Sequence, residues 1–280
     1  MNKEILIICR GGGDLATGIV HRLFRAGYQV LILETAEPAA IRRQVSFCEA
    51  VYEGTATVEG VTAERIYTTK KQAVEEVLQR GRIPLLVDPD GRSIEVLKPD
   101  VVVDAIIAKK NLGTYKEMAP LVIGIGPGFE AGKDVHLVVE SMRGHNLARI
   151  LETGSALANT GIPGNIGGYT KERVIHAAAE GYMKNLHQIG NVVQKGEEIA
   201  RIYEQMSPEG VFSGRFVSVE ATIPGVLRGL IREGYHFQKG FKIADIDPRE
   251  SELANCFTIS DKASSIGGSV LEAVCRYVNG

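Results

Sequence analysis

The stretch from Glu4 to Cys9 is one continuous apolar run, the pattern of a strand buried on both faces. Arg10-Gly11-Gly12-Gly13-Asp14 follows, and then apolar residues return at helical spacing as Leu15, Ile19, Leu23 and Phe24. Gly27 stops that helix, and Gln29 to Leu33 forms a second buried run closed by Glu34. Strand, glycine turn, helix and strand make one parallel crossover unit. Short apolar runs recur at Leu85–Val87, Val101–Ile107, Leu121–Ile125 and Val135–Val139, with a helical pattern over Lys70–Arg80. The alternation predicts an α/β domain over 1–160, an open, Rossmann-like parallel sheet with helices on both faces.

The pattern changes after a Gly-, Asn- and Pro-rich loop from Gly154 to Gly168 that contains Thr160-Gly161-Ile162-Pro163-Gly164 and sets the domain boundary. Residues 177–203 laid over 221–247 are identical at ten of 27 positions. The glycines pair as Gly181/Gly225, Gly190/Gly234 and Gly196/Gly240, and Gln194-Lys195-Gly196 repeats as Gln238-Lys239-Gly240. A repeat of this size means one supersecondary unit used twice around a shared core. Its glycine-punctuated short strands predict a small β domain over 170–250 that resembles the biotinyl/lipoyl fold, a barrel-sandwich hybrid. Carriers of that fold hold a lysine at a hairpin tip. The matching stretches here, Ile202–Met206 and Ile246–Glu250, hold none, so the domain reads as a scaffold or docking surface. The segment 258–280 closes with an amphipathic helix through Val270, Leu271, Val274 and Val278, which folds back on the first domain.

Composition narrows the function classes. A net charge of −2 and the absence of Trp argue against nucleic-acid binding. No apolar run is long enough for a signal core or a membrane span. Cys9, Cys48, Cys256 and Cys275 are scattered without a C-x-x-C pair, which fits a reduced cytoplasm and predicts no metal site.

Candidate chemistry gathers where loops follow strands. In Gly11-x-Gly13-x-x-Ala16 the glycines let the backbone approach a diphosphate at a helix N-terminus, with Gly12 between them and Gly18 adding room. Glu34 stands where an acid binds ribose hydroxyls, Arg10 is suited to phosphate, and Arg42 lies eight residues past Glu34. Asp14 departs from a simple dinucleotide loop. Gly126-Pro127-Gly128 offers open backbone amides, and Arg143-Gly144-His145 adds a guanidinium and an imidazole. His145 reads as an acid/base group or as a neighbour of a helix end.

The strings RGGGDLATG, IRRQVSFCEAV, DAIIAKKNLGT, IGIGPGFEAG, ESMRGHNLARI, KIADIDPR and ISDKASSIGGSVLEA resemble the YqeB family. These are accessory proteins of selenium-dependent molybdenum hydroxylase systems, related to the XdhC/CoxI maturation factors. The resemblance implies an accessory factor that binds a molybdopterin-type cofactor, the cytosine dinucleotide form included, and assists chalcogen loading or insertion. Its partners would be an apo molybdenum hydroxylase and a sulfur or selenium donor protein, with a homo-oligomer left open. Carried onto this chain, Arg10 and Gly11–Gly13 hold the phosphates, Gly126, Gly128, Arg143 and His145 complete the pocket, and Lys109, Lys110, Asn111 and Lys262 contact the ligand. Cys9 and Cys256 are the candidates for chalcogen chemistry. The alternative is an NAD(P)-dependent oxidoreductase on a small substrate, motivated by the glycine turn and Glu34 but lacking a Tyr-x-x-x-Lys pair.

Overall fold

The computed structural model describes residues 5–159, 161 and 164–280. Glu4 of the first expected strand, and Thr160, Ile162 and Pro163 of the expected boundary loop, lie outside the described residues. The chain divides into two compact units that are not consecutive in sequence. Unit 1 comprises Met1–Pro38, Val45–Thr160 and Ile259–Gly280, and unit 2 comprises Ala39–Gln44 and Gly161–Thr258.

In unit 1 the elements run β1 (Leu6–Arg10), α1 (Asp14–Arg25), β2 (Gln29–Glu34), α2 (Ala50–Glu53), β3 (Thr55–Val58), β4 (Val61–Ile66), α3 (Lys71–Gln79), β5 (Ile83–Val87), α4 (Arg92–Leu97) and β6 (Val101–Asp104). They continue as β7 (Leu121–Ile125), β8 (Glu130–Ala131), β9 (Leu137–Val139), β10 (Ile150–Leu151) and β11 (Gly154–Ser155). Nine of these strands form one sheet in the order β10-β9-β7-β6-β1-β2-β5-β4-β3, and β8 pairs separately with β11. The central strands are buried on both faces, which is why their sequences are continuous apolar runs. Ile7 and Cys9 of β1 join the core with Ile19 and Leu23 of α1, whereas Ile8 faces the opposite layer with Val74 and Ile94.

The expected wholly parallel, Rossmann-like sheet is corrected to a large mixed one. β3 and β10 run antiparallel to their neighbours. Among the described residues no α-helix lies between β6 and β7 or between β7 and β9. The β3–β4 hairpin turns through Glu59 and Gly60, both at positive φ (45° and 78°), with Val58 opposite Val61. Two left-handed residues suit the twist of a two-residue hairpin, and this hairpin brings in an antiparallel edge strand. β6 also stops at Asp104, short of the expected Ile107.

The last helix, α5 (Asp261–Asn279), belongs to unit 1 and packs on α1. The two approach through their smallest residues. A Cβ on Gly18 would sit 2.7 Å from the Ala263 carbonyl oxygen, and one on Gly267 would sit 2.6 Å from the Gly18 carbonyl oxygen. Gly18 is therefore a helix-crossing residue and leaves no room for a ligand.

In unit 2 the strands are β12 (Val174–His176), β13 (Gly181–Asn185), β14 (Val192–Val193), β15 (Glu198–Met206), β16 (Phe212–Glu220), β17 (Gly225–Leu230), β18 (His236–Phe237) and β19 (Lys242–Asp247). They form two four-stranded antiparallel sheets, β12-β19-β17-β14 and β16-β15-β13-β18. The repeat copies trade strands: β13 of the first pairs with β18 of the second, and β17 of the second pairs with β14 of the first. Each sheet thus needs both copies, and their apolar faces, including Met183, Ile199, Leu227 and Ile246, enclose one core. Residues 202–206, expected at a hairpin tip, instead lie inside β15, which runs on into a hairpin with β16.

Candidate functional site

The carboxyl ends of β1, β6, β7 and β9 bring the glycine turn, the Ile106–Thr114 loop, the Gly126–Gly128 turn and the segment after Glu140 to one edge of the unit 1 sheet. Two side chains expected to face a ligand turn inward there. Arg10 is 2% exposed. Its guanidinium bonds the Thr114 hydroxyl, donates to the Pro89 carbonyl at 3.1 Å and lies 3.6 Å from the Asp104 carboxylate. Asp104 in turn accepts from the Thr114 hydroxyl and from the Ile106 amide, and its pKa is raised because burial outweighs those bonds and Arg10. Arg10 therefore ties β1 to the loop after β6.

Glu34 likewise serves the protein. Its carboxylate accepts from the Gly12 amide and from its neighbour Thr35, both at 2.7 Å. Burial raises its pKa while the two amide bonds pull it back. The Gly11 amide donates to the Leu33 carbonyl, and the Gly12 amide is filled by the acid that was expected to bind ribose. Gly11 passes so close to Ala105 and Ile106 that a Cβ would overlap backbone, and Gly12 packs on Cys48.

Gly13 differs from both. It is the N-cap of α1, and a Cβ there meets nothing within 4 Å. Behind it the first amides of the helix have no intrahelical acceptor. Asp14 sits in that first turn. Lys262 arrives at the start of α5, next to Ala263, which packs on Gly18 one turn into α1. Its ammonium is half-buried and makes no hydrogen bond or ion pair among the described residues. Burial and then Arg143 lower its pKa, against the raising effect of Asp14, Glu140 and Asp261.

Arg143 forms a two-point pair with Asp261, at 2.7 and 2.9 Å. Glu140 is buried and accepts from the amides of Met142 and Leu157. Asn111 folds its own loop by bonding both backbone groups of Thr114. Lys109 and Lys110 are exposed beside it. Ile107 and Lys109 hold φ of 60° and 62°, and a β-branched residue in that region is strained. Gly126 approaches the Ser141 side chain and Gly128 the Lys110 backbone, so both close the loops on each other. His145 is exposed. Arg42 belongs to unit 2, where it donates to the carbonyls of Asn255 and Thr258.

The cysteines expected to do chalcogen chemistry are chemically muted. Cys9 is fully buried, and burial, then Asp104 and Glu34, push its thiol far up. Cys256 lies in unit 2, 1% exposed, and its thiol is also raised by burial. A buried, protonated thiol is a poor nucleophile. Native labelling with iodoacetamide should therefore modify Cys275, which is partly exposed, while Cys9, Cys48 and Cys256 react only on unfolding. Mass-mapped labelling of Cys9 or Cys256 in the folded protein would refute their inertness.

Sequence reasoning did not join Arg10, Asp104 and Thr114 into an internal clasp, because a motif gives residue spacing and not the side to which a side chain turns. Among the described residues, no group of three or more His, Cys, Asp or Glu is placed to hold a metal ion. No helix among them is long and apolar enough to cross a membrane.

No family model matches the chain. A protein of Escherichia coli (strain K12) named "Uncharacterized protein YqeB" is 46% identical over 274 residues. The chain is similar to about half of it. That match covers 98% of the chain and 48% of the longer protein. Solved structures align over most of the chain at low similarity. Product-bound EutE (DoeB), an ectoine utilization protein of Ruegeria pomeroyi, is 11% identical, covers 87% of this chain and 85% of its own, and has a TM-score of 0.28. A succinylglutamate desuccinylase from a Silicibacter species is 12% identical with a TM-score of 0.26, covering 88% and 85%. An aspartoacylase family protein of Mesorhizobium loti is 10% identical with a TM-score of 0.29, also covering 88% and 85%. At these scores the likeness brings no substrate or activity to this chain.

Two expectations of function are corrected at this point. They are the XdhC-like molybdenum hydroxylase maturation factor and the NAD(P) oxidoreductase, which both rest on a glycine turn that holds a ligand with Arg10 and Glu34. The glycine turn withdraws that shared premise, since Arg10 and Glu34 are spent on the protein's own loops.

Proposed function

We propose that unit 1 is a binding module for a small anionic molecule, held where α1 begins. The observation that carries this reading is the open Gly13 N-cap together with a half-buried ammonium, Lys262, which feels the charge of Asp14 in the first turn of the same helix and has no partner among the described residues. Unpaired helix amides and the positive end of the helix dipole favour an anion, and an ammonium completes its charge balance. The strained Ile107 and Lys109 lie in the loop after β6 at the same edge, and such backbone clusters at binding sites.

Calorimetry of the intact chain with inorganic pyrophosphate, ADP and citrate tests this reading. At least one should bind, with affinity falling about tenfold or more in Gly13→Asp, which sets a carboxylate in the opening. The pH dependence has a defined sign. The ligand pairs with protonated Lys262, whose pKa lies below that of a free lysine, so affinity falls as pH rises through that lowered value. Lys262→Met should bind more weakly and lose that pH dependence. Failure of all three probes to bind, or undiminished binding by Gly13→Asp, would sink the proposal.

A further inference from the structure

We infer that unit 2 carries a separate oxyanion site built on Arg228. The pairing of β17 with β19 runs Leu227 to Ile246 and then Gly229 to Asp245, which leaves Arg228 as the extra residue of a β-bulge. Bulges re-aim a side chain and recur beside functional sites. The bulge needs Gly229, because a Cβ there would sit 2.6 Å from the Ile41 side chain.

The Arg228 side chain is 14% exposed, yet its guanidinium makes no hydrogen bond among the described residues. Its Nε is buried without a partner. Among the described residues its one ionic contact is Asp247, at 3.7 Å. That carboxylate is already engaged at both oxygens by Arg249, at 3.0 and 2.9 Å. A guanidinium has five donors in a fixed fork. The buried Nε leaves one of those donors unmet, which is costly, and a buried donor without a partner calls for an explanation.

The neighbourhood is polar and held in place. Asp245 and Asp247 stand two residues apart on β19, so they share a face, and both are buried. Arg173 lies 3.5 Å from Asp245. Cys256 feels Arg228 and Arg42 together with both aspartates, which places it in the same cluster. With Asp247 taken by Arg249, the acceptor that suits the Arg228 fork is an oxyanion from outside, a carboxylate or a phosphate. This site lies in unit 2 and stands independently of the anion site proposed for unit 1.

Differential scanning calorimetry of the full chain in sodium phosphate, sodium acetate and sodium chloride at equal ionic strength tests the inference. Phosphate or acetate should raise the melting midpoint of unit 2 by about 4 °C or more over chloride. A response to phosphate alone assigns a phosphate group, and one to acetate alone assigns a carboxylate. The shift should vanish in Arg228→Met and persist in Lys262→Met, which separates this site from the one in unit 1. Without anion, Arg228→Met should melt no lower than the parent, because the unmet Nε donor and a half-buried charge are gone. Should that variant fail to fold, Arg228→Lys should bind the anion about tenfold more weakly, since an ammonium cannot form the two-point contact. No shift beyond chloride, an equal shift in Arg228→Met, or unchanged affinity in Arg228→Lys overturns the inference.

Discussion

Replacing Asp104 by alanine should cost about 3–5 kcal/mol of folding stability, because it leaves the buried Arg10 guanidinium without its counter-charge. Arg10 and Asp104 are each 2% exposed, and the guanidinium has no route to water. Thr114 is the third member, bonded to both. Asp104→Asn should cost clearly less, since a neutral amide keeps an acceptor for the Thr114 hydroxyl and removes a charge that burial already disfavours. Urea unfolding of both variants at unchanged m-value measures this order. A loss below about 1 kcal/mol in Asp104→Ala would show that the clasp is surface-like in energy.

The same burial fixes the sign of a pH effect. The folded-state pKa values of Asp104 and Glu34 are raised, so the folded protein holds these protons more tightly than the unfolded chain does. Their contribution to stability is therefore greatest in acid and declines as pH rises from the ordinary carboxyl range through the raised values. Paired carboxylates at a surface behave in the opposite way.

The clasp also shows what the sequence could reveal. β1, the glycine turn and α1 were readable because apolar runs and helical spacing report burial directly. The inward turn of Arg10 and Glu34 was not, because the same residues at the same spacing serve a phosphate or a backbone amide equally well. Only the position of Thr114 and the path of Gly12 decide, and both depend on loops more than a hundred and some twenty residues away from their partners. Gly18 carried a signal that went unused. It matches Gly267 in a second amphipathic helix, and two small residues in facing helices mark a close crossing. The Glu59-Gly60 hairpin was also legible, with Ala56, Val58, Val61 and Ala63 alternating around a turn dipeptide. Arg42 was misplaced for another reason: the six-residue excursion Ala39–Gln44 joins unit 2, and no composition change marks it.

The repeat in unit 2 leads to the other large effect. Gly181 and Gly225, 44 positions apart, hold φ of 153° and 147°, a region open to glycine almost alone. A Cβ on Gly181 would strike the Tyr203 carbonyl, and one on Gly225 the Asp247 carbonyl. Tyr203 and Asp247 are themselves 44 positions apart, so the repeat conserves both the glycine and the backbone it must pass. Backbone cannot move aside as a flexible side chain would, and each glycine opens a strand that joins the two copies. Gly225→Ala should therefore cost about 4 kcal/mol, from strained dihedrals and overpacking together. Gly181→Ala should cost a similar amount. Gly196→Ala and Gly240→Ala are the internal control, since their φ of 83° and 85° is also positive but a Cβ there meets nothing within 4 Å. They should lose only the dihedral part, about 1–2 kcal/mol. Denaturant unfolding of the four variants separates the two terms. Equal losses at all four positions would mean that conformation alone, and not the close passage of strands, fixes these glycines.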